Sequence, residues 1–278
     1  AEVESKVIQD LKKDNLNLLK KLEKSKNKKE EMVDAVYDAV SANLRTWNKP
    51  SIPKPSNLKK TKDEEIAIAV LSDIQLAKVT PDYNSEVAEE RVVAYAHKIV
   101  DITNVQRQSH PVNKVSVFAV GDIIEGELIF PGQSHLIDSS LYKQVTVDGP
   151  RIIGKFFDIL LANFNEVDVH WVIGNHGHLG GRSRKDYHPD SNADRMLGNI
   201  MKMVFRDEKR IKFTIPDSTG DNHWFDIADL GKECKFLLWH GDNVRGFSGF
   251  PWYGFGKKLQ GWKTLAANGY YFVSQVLA

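Results

Sequence analysis

The chain has 278 residues, 41% of them hydrophobic and 27% charged, enough for one large packed domain with an appendage. A formal net charge of +1 argues against nonspecific nucleic-acid binding by the chain as a whole and leaves room for a local basic patch. The single cysteine, Cys234, excludes an internal disulfide and fits a reducing, cytoplasmic setting, and no apolar run reaches the ~18 residues of a membrane span.

Residues 1–47 are rich in Lys and Glu and contain no Gly or Pro. Ile8, Leu11, Asn15, Leu18 and Leu22 follow alternating three- and four-residue steps, a short seam with Asn15 at an a-like position. The seam fails over 25–31 and a second amphipathic piece carries Met32, Val36, Val40 and Leu44. Two readings stand side by side: a solvated helical extension packing on its own domain, and a hairpin or coiled coil that pairs two chains as a homodimer. Residues 48–64 hold Pro50, Pro53 and Pro55 and then Lys59, Lys60 and Lys62, the composition of an extended linker. The domain proper is expected over 65–278.

From Ile66 the pattern becomes strand, loop and helix in repetition. An apolar run at 66–72 ends in Asp73-Ile74-Gln75. A helix is expected over 85–107, with Ser85-Glu86-Val87-Ala88 as its capped start. The run 115–120 ends in Gly121-Asp122-Ile123-Ile124-Glu125. A turn-rich loop over 126–138 precedes a helix over 141–164, broken near Gly149-Pro150. The run 167–173 ends in Gly174-Asn175-His176-Gly177-His178. A helix is expected over 193–205, shorter strands over 211–215 and 224–227, and a fourth apolar run over 235–239 that ends in His240-Gly241-Asp242. A Gly/aromatic loop over 246–256, a helix over 257–268 and a last strand over 270–277 complete the chain.

Four apolar strands thus deliver carboxylate, amide or imidazole at their carboxyl ends, the edge where sites sit in open α/β sheets. Asp73 and Asp122 are hard anionic donors, Asn175 a neutral oxygen, and His240 an imidazole suited to Mn, Fe or Zn. Each alone is an ordinary turn, loop or structural histidine; the ordered set points to a metal site. His176, beside a ligand, is placed to give a proton to a leaving oxygen.

Asp73-Ile74-Gln75, Gly121-Asp122-Ile123-Ile124-Glu125, Gly174-Asn175-His176 and His240-Gly241-Asp242 resemble, in order, the D-x-H, G-D-x-x-D, G-N-H-[DE] and later His blocks of calcineurin-like metallophosphoesterases. The match covers about residues 66–245. The stretches 130–138 and 251–258 also look like phage-encoded metallophosphoesterases or repair-type nucleases, which would place the protein in a host cytoplasm. The resemblance implies an α/β fold, a four-layer α/β/β/α sandwich. It implies two divalent metal ions, Mn first, with Fe, Zn and Mg as alternatives. Asp73 and Gln75 would hold the first metal, Asp122 would bridge, Asn175 and His240 would hold the second, and His176 would assist at the phosphate.

Three departures qualify what the resemblance implies. Gln75 stands where the family has a ligand histidine, and an amide oxygen suits hard metals better than soft ones. Glu125 and Gly177 replace acids that support the ligands. No G-H-x-H motif follows His240 before Ala278, so the chain is shortened, the site is incomplete, or another group fills in; His178, His188 and His223 are candidates that no spacing recommends.

The expected activity is a metal-dependent phosphodiesterase or nuclease acting on DNA. Arg182, Arg184 and Lys185 follow the Asn-His loop, and Lys257 and Lys258 follow aromatics, as phosphate grips and base platforms would. A solvated loop and a packed aromatic cap explain the same residues. The alternatives are a phosphomonoesterase or small-molecule phosphodiesterase, and a non-catalytic assembly protein whose metal site has decayed.

Overall fold

The structure, a computed structural model, describes residues 20, 52–55, 64–180, 188, 191–216, 223–231, 234–242, 244, 251–267 and 275–277. The chain divides into two units, Ala1–Thr46 and Trp47–Ala278. Apart from Lys20, 52–55 and Glu64, the expected helical extension and linker lie outside the described residues, as do Arg182, Arg184 and Lys185.

The second unit is mixed α/β. Strands β1 (Glu65–Leu71), β2 (Val112–Val120), β3 (Glu166–Val172) and β4 (Ile211–Thr214) form a parallel sheet in sequential order. Helices α1 (Ser85–Gln106), α2 (Leu141–Lys143), α3 (Gly149–Asn163) and α4 (Ala193–Val204) occupy the crossovers. Parallel strands need such crossovers, and a strand covered on both faces becomes a continuous apolar run. β2 shows this: from Val115 to Val120 every residue is buried.

A second sheet has the order β5 (Phe225–Asp229), β6 (Lys235–Trp239), β7 (Gln275–Leu277), antiparallel then parallel. Phe118, Val120 and Val172 of the first sheet pack against Ala228 and Leu238 of the second. Phe225, Leu237 and Trp239 pack against Phe255 and Trp262 of α5 (Trp252–Ala267). Cys234, half-buried, precedes β6.

Several local expectations are corrected. The cap of α1 is Asn84, whose side chain accepts from the Val87 N–H at 2.9 Å; Ser85 instead gives its N–H and hydroxyl to the Asp138 carboxylate. The helix expected over 141–164 widens into a π-helical segment, Gln144–Asp148, just before Gly149. Pro150 has no N–H for the turn behind it, and the buried Gln144 side chain is drawn to Gly126 and Ser139. The aromatic stretch placed in a loop is helical from Trp252, because Phe255 and Trp262 share a face that packs on Trp239. The run 235–239 is a strand as expected, β6 of the second sheet, antiparallel to β5 and parallel to β7.

Candidate metal centre

The loops after β1, β2 and β3 are zipped together. The Asp73 and Gln75 N–H groups donate to Gly121 O and Asp122 O at 3.2 and 2.9 Å, and Leu76 N donates to Ile123 O at 2.9 Å. Asp73, Gln75 and Asp122 have φ of +53°, +47° and +51°. With Ala77 they are the only left-handed residues other than glycine among the described residues. Such backbone costs of order 1–3 kcal/mol per residue and gathers at functional sites. The loops also touch: a Cβ on Gly121 would lie 2.6 Å from Gly174 Cα, and one on Gly174 would collide with the Asp122 carboxylate.

One donor atom each from Asp73, Asp122 and His240 lies within 4.8 Å of the others. Asp73 is exposed, Asp122 buried and His240 between. His240 Nδ1 is 2.8 Å from Val120 O, which can only accept, so Nδ1 carries a proton. Its Nε2 then faces Asp122 Oδ2 at 3.1 Å and Asn175 Oδ1 at 3.2 Å. Three acceptor atoms converge, and only a cation or a proton relieves them. Burial lowers the His240 pKa, but the Asp122 hydrogen bond and charge outweigh it and raise the value to about 9. Burial likewise acts to raise Asp122, and the His240 hydrogen bond and charge bring it below its ordinary value.

This donor set fits a divalent ion at Asp73, Asp122, Asn175 and His240. A second ion fits less well. The Gln75 Oε1 accepts from the Lys78 ammonium, and Asp73 Oδ2 accepts from Ser72 Oγ at 2.5 Å. His178, His188 and His223 are outside the cluster, and His178 Nδ1 is 3.4 Å from Asn192 Nδ2.

His176 is anchored on two sides. Its N–H donates to Asp122 Oδ1 at 2.8 Å, and its Nδ1 lies 3.1 Å from both Glu125 O and Glu125 Oε2. Nε2 points toward the centre, 3.9 Å from Asp122 Oδ2. Burial lowers the His176 pKa, but the Glu125 hydrogen bond and the Asp122 charge raise it on balance. Gln133, fully buried, donates to Glu125 Oε1 and Glu125 O, each at 2.9 Å, fixing the carboxylate. The missing acid after His176 is explained by packing: a Cβ on Gly177 would lie 2.6 Å from Asn192 Oδ1.

Sequence reasoning missed Asp194 and Asn192. Asp194 is fully buried, and its carboxylate accepts from Asp122 N, Gly174 N and Ile124 N at 3.0, 2.9 and 3.1 Å. Burial first, then the Asp122 charge, raise its pKa to about 6. Asn192 caps α4 and donates to Gly174 O at 3.0 Å. The signal was an Asn-Ala-Asp helix start, which reads as ordinary capping. Searches against protein-family models and curated proteins give no match to this chain.

Proposed function

We propose that the protein is a metal-dependent phosphoesterase, a phosphodiesterase acting on DNA. The observation that carries this reading is the gathering of Asp73, Asp122 and His240 donor atoms within 4.8 Å of one another, with Asn175 Oδ1 3.2 Å from His240 Nε2, on strained loops and with His176 held beside them. The reading includes a four-layer α/β/β/α sandwich. Its support is the packing of the parallel sheet on the second sheet, and of the second sheet on α5.

The residues divide the work. Asp73, Asp122, Asn175 and His240 would hold a divalent ion, Mn first, with Fe, Zn and Mg as alternatives; a second ion needs Gln75 to give up Lys78. A bound ion supplies an acidified water and neutralises phosphate charge. His176, whose Nε2 faces the centre, would give a proton to the leaving oxygen, while Glu125 and Gln133 keep Nδ1 facing away. Asp194 holds the Asp122 and Gly174 backbones in register without touching substrate.

Mn-dependent cleavage of single-stranded DNA and of bis(p-nitrophenyl) phosphate tests the reading. Both are expected in the wild type and lost in Asp122→Ala; full activity in that variant would overturn it. A protein with a decayed site is the second reading, favoured by the Lys78 ammonium on Gln75. It predicts no hydrolysis of either ester and no retained metal.

A further inference from the structure

A cleft of about 570 Å³ opens beside the candidate metal centre, and Asp73 belongs to both. Its size falls within the about 300–1,000 Å³ of small-ligand sites. One wall is β1, the open edge of the parallel sheet, and another is the first part of α1. Two cations line it, Lys78 and Arg91. The Lys78 ammonium donates to the neutral Gln75 amide. The Arg91 guanidinium lies 5.2 Å from the centroid of the Tyr83 ring, whose hydroxyl donates to Ile74 O. Tyr95 closes the β1 edge, its hydroxyl bonded to Val70 N and O at 3.1 and 2.9 Å. Among the described residues neither cation forms an ion pair, although Asp82 also lines the cleft.

Each cation is therefore oriented by a neutral neighbour and keeps its charge for an anion. A phosphate monoester ends at the metal centre and leaves both unused. A phosphodiester strand continues beyond the scissile phosphate, and the cleft that shares Asp73 with the centre is the one these two cations line. We propose that this cleft binds the backbone phosphate of a nucleic-acid strand that flanks the phosphate at the metal centre, with Lys78 and Arg91 as its ligands. The proposal rests on the phosphoesterase reading for the position of the scissile phosphate. The Arg91 fork suits phosphate oxygens, and its stacking on Tyr83 reduces the ordering cost of binding.

The test is fluorescence anisotropy of a labelled single-stranded oligodeoxynucleotide with the full chain in EDTA, across a salt series. Thermal melting of each variant checks folding. Arg91→Ala and Lys78→Ala are each expected to weaken binding about tenfold and to lower the salt slope by about 0.7. Arg91→Glu weakens it further, and Lys78→Arg restores most of it. Wild-type affinity and slope in the alanine variants, or no binding by the wild type, overturns the proposal. Hydrolysis of bis(p-nitrophenyl) phosphate with Mn separates the two claims. Hydrolysis without strand binding removes the strand site and keeps the phosphoesterase. Strand binding through Lys78 and Arg91 without hydrolysis keeps the strand site and removes the phosphoesterase.

Discussion

Among the described residues, two histidine–carboxylate clusters invite comparison, and they differ in kind. At the strand ends, His240 meets Asp122 and Asp73. Within β3, His170 Nδ1 lies 2.6 Å from Asp226 Oδ2 of β5, its Nε2 is 3.7 Å from Asp168 Oδ2, and Lys114 Nζ is 3.1 Å from that same oxygen. Both imidazoles have pKa values raised to about 9. The His170 cluster has its charges matched by a lysine, lies on regular strand backbone and is buried at the contact of the two sheets. The His240 cluster has strained backbone, an exposed carboxylate, and two oxygens, Asp122 Oδ2 and Asn175 Oδ1, facing one imidazole nitrogen. A raised histidine pKa is common to both clusters, and what sets the strand-end cluster apart is its strained backbone and its exposed carboxylate.

Asp122→Ala is the largest break in this comparison. It is expected to abolish metal retention and lower hydrolysis by at least about a thousandfold, or about 4 kcal/mol in the barrier. Titration with Mn and initial rates check it, with melting as a control for folding.

His170→Leu should instead act on stability. It takes the imidazolium from the Asp226 carboxylate and leaves Asp168 with Lys114 alone, at a cost of about 3 kcal/mol, and leaves metal affinity unchanged. The pH dependence has a fixed sign. His170 binds its proton more tightly folded than unfolded, so its contribution is full below pH 6.5 and fades as pH rises through about 9. Asp168, lowered to about 2 chiefly by pairing with His170 and also by Lys114, contributes above its ordinary 3.8 and loses this as pH falls through about 2. Denaturant melts of wild type and variant from pH 4 to 10 should therefore converge on the alkaline side. A gap constant through pH 9 would show that the imidazolium is not what stabilises the sheet contact.

The strand ends were legible in sequence because a buried parallel strand is a plain apolar run, and a polar tip on it stands out. The fourth run looked the same and yet belongs to the other sheet; nothing in Lys235-Phe236-Leu237-Leu238-Trp239 announces an antiparallel neighbour. Asp194 was hidden because a first-turn acid is ordinary helix chemistry until its carboxylate is seen to take three loop N–H groups. The cleft was hidden because its residues come from two separate stretches, the end of β1 with the loop after it and one face of α1.

Asp194→Asn sharpens the comparison further. The amide keeps the shape and loses an acceptor, so Mn affinity is expected to fall about 10–100-fold, as for partners that orient ligands elsewhere. Isothermal titration reads this. Unchanged affinity with a lowered melting point would make Asp194 purely structural. Glu125→Gln is the mildest change, with hydrolysis falling about tenfold and its alkaline limb moving to lower pH as His176 loses the carboxylate that raises its pKa. A pH–rate profile with an unmoved alkaline limb would take His176 out of the proton-donor role.

The central claim is that the strand-end cluster holds a divalent metal and the sheet-contact cluster does not. Equilibrium dialysis against Mn, followed by elemental analysis of the dialysed protein, measures it directly. At least one Mn per chain is expected in the wild type and in His170→Leu, and none in Asp122→Ala. A wild-type chain that retains no metal, or an Asp122→Ala chain that retains as much as the wild type, would contradict it.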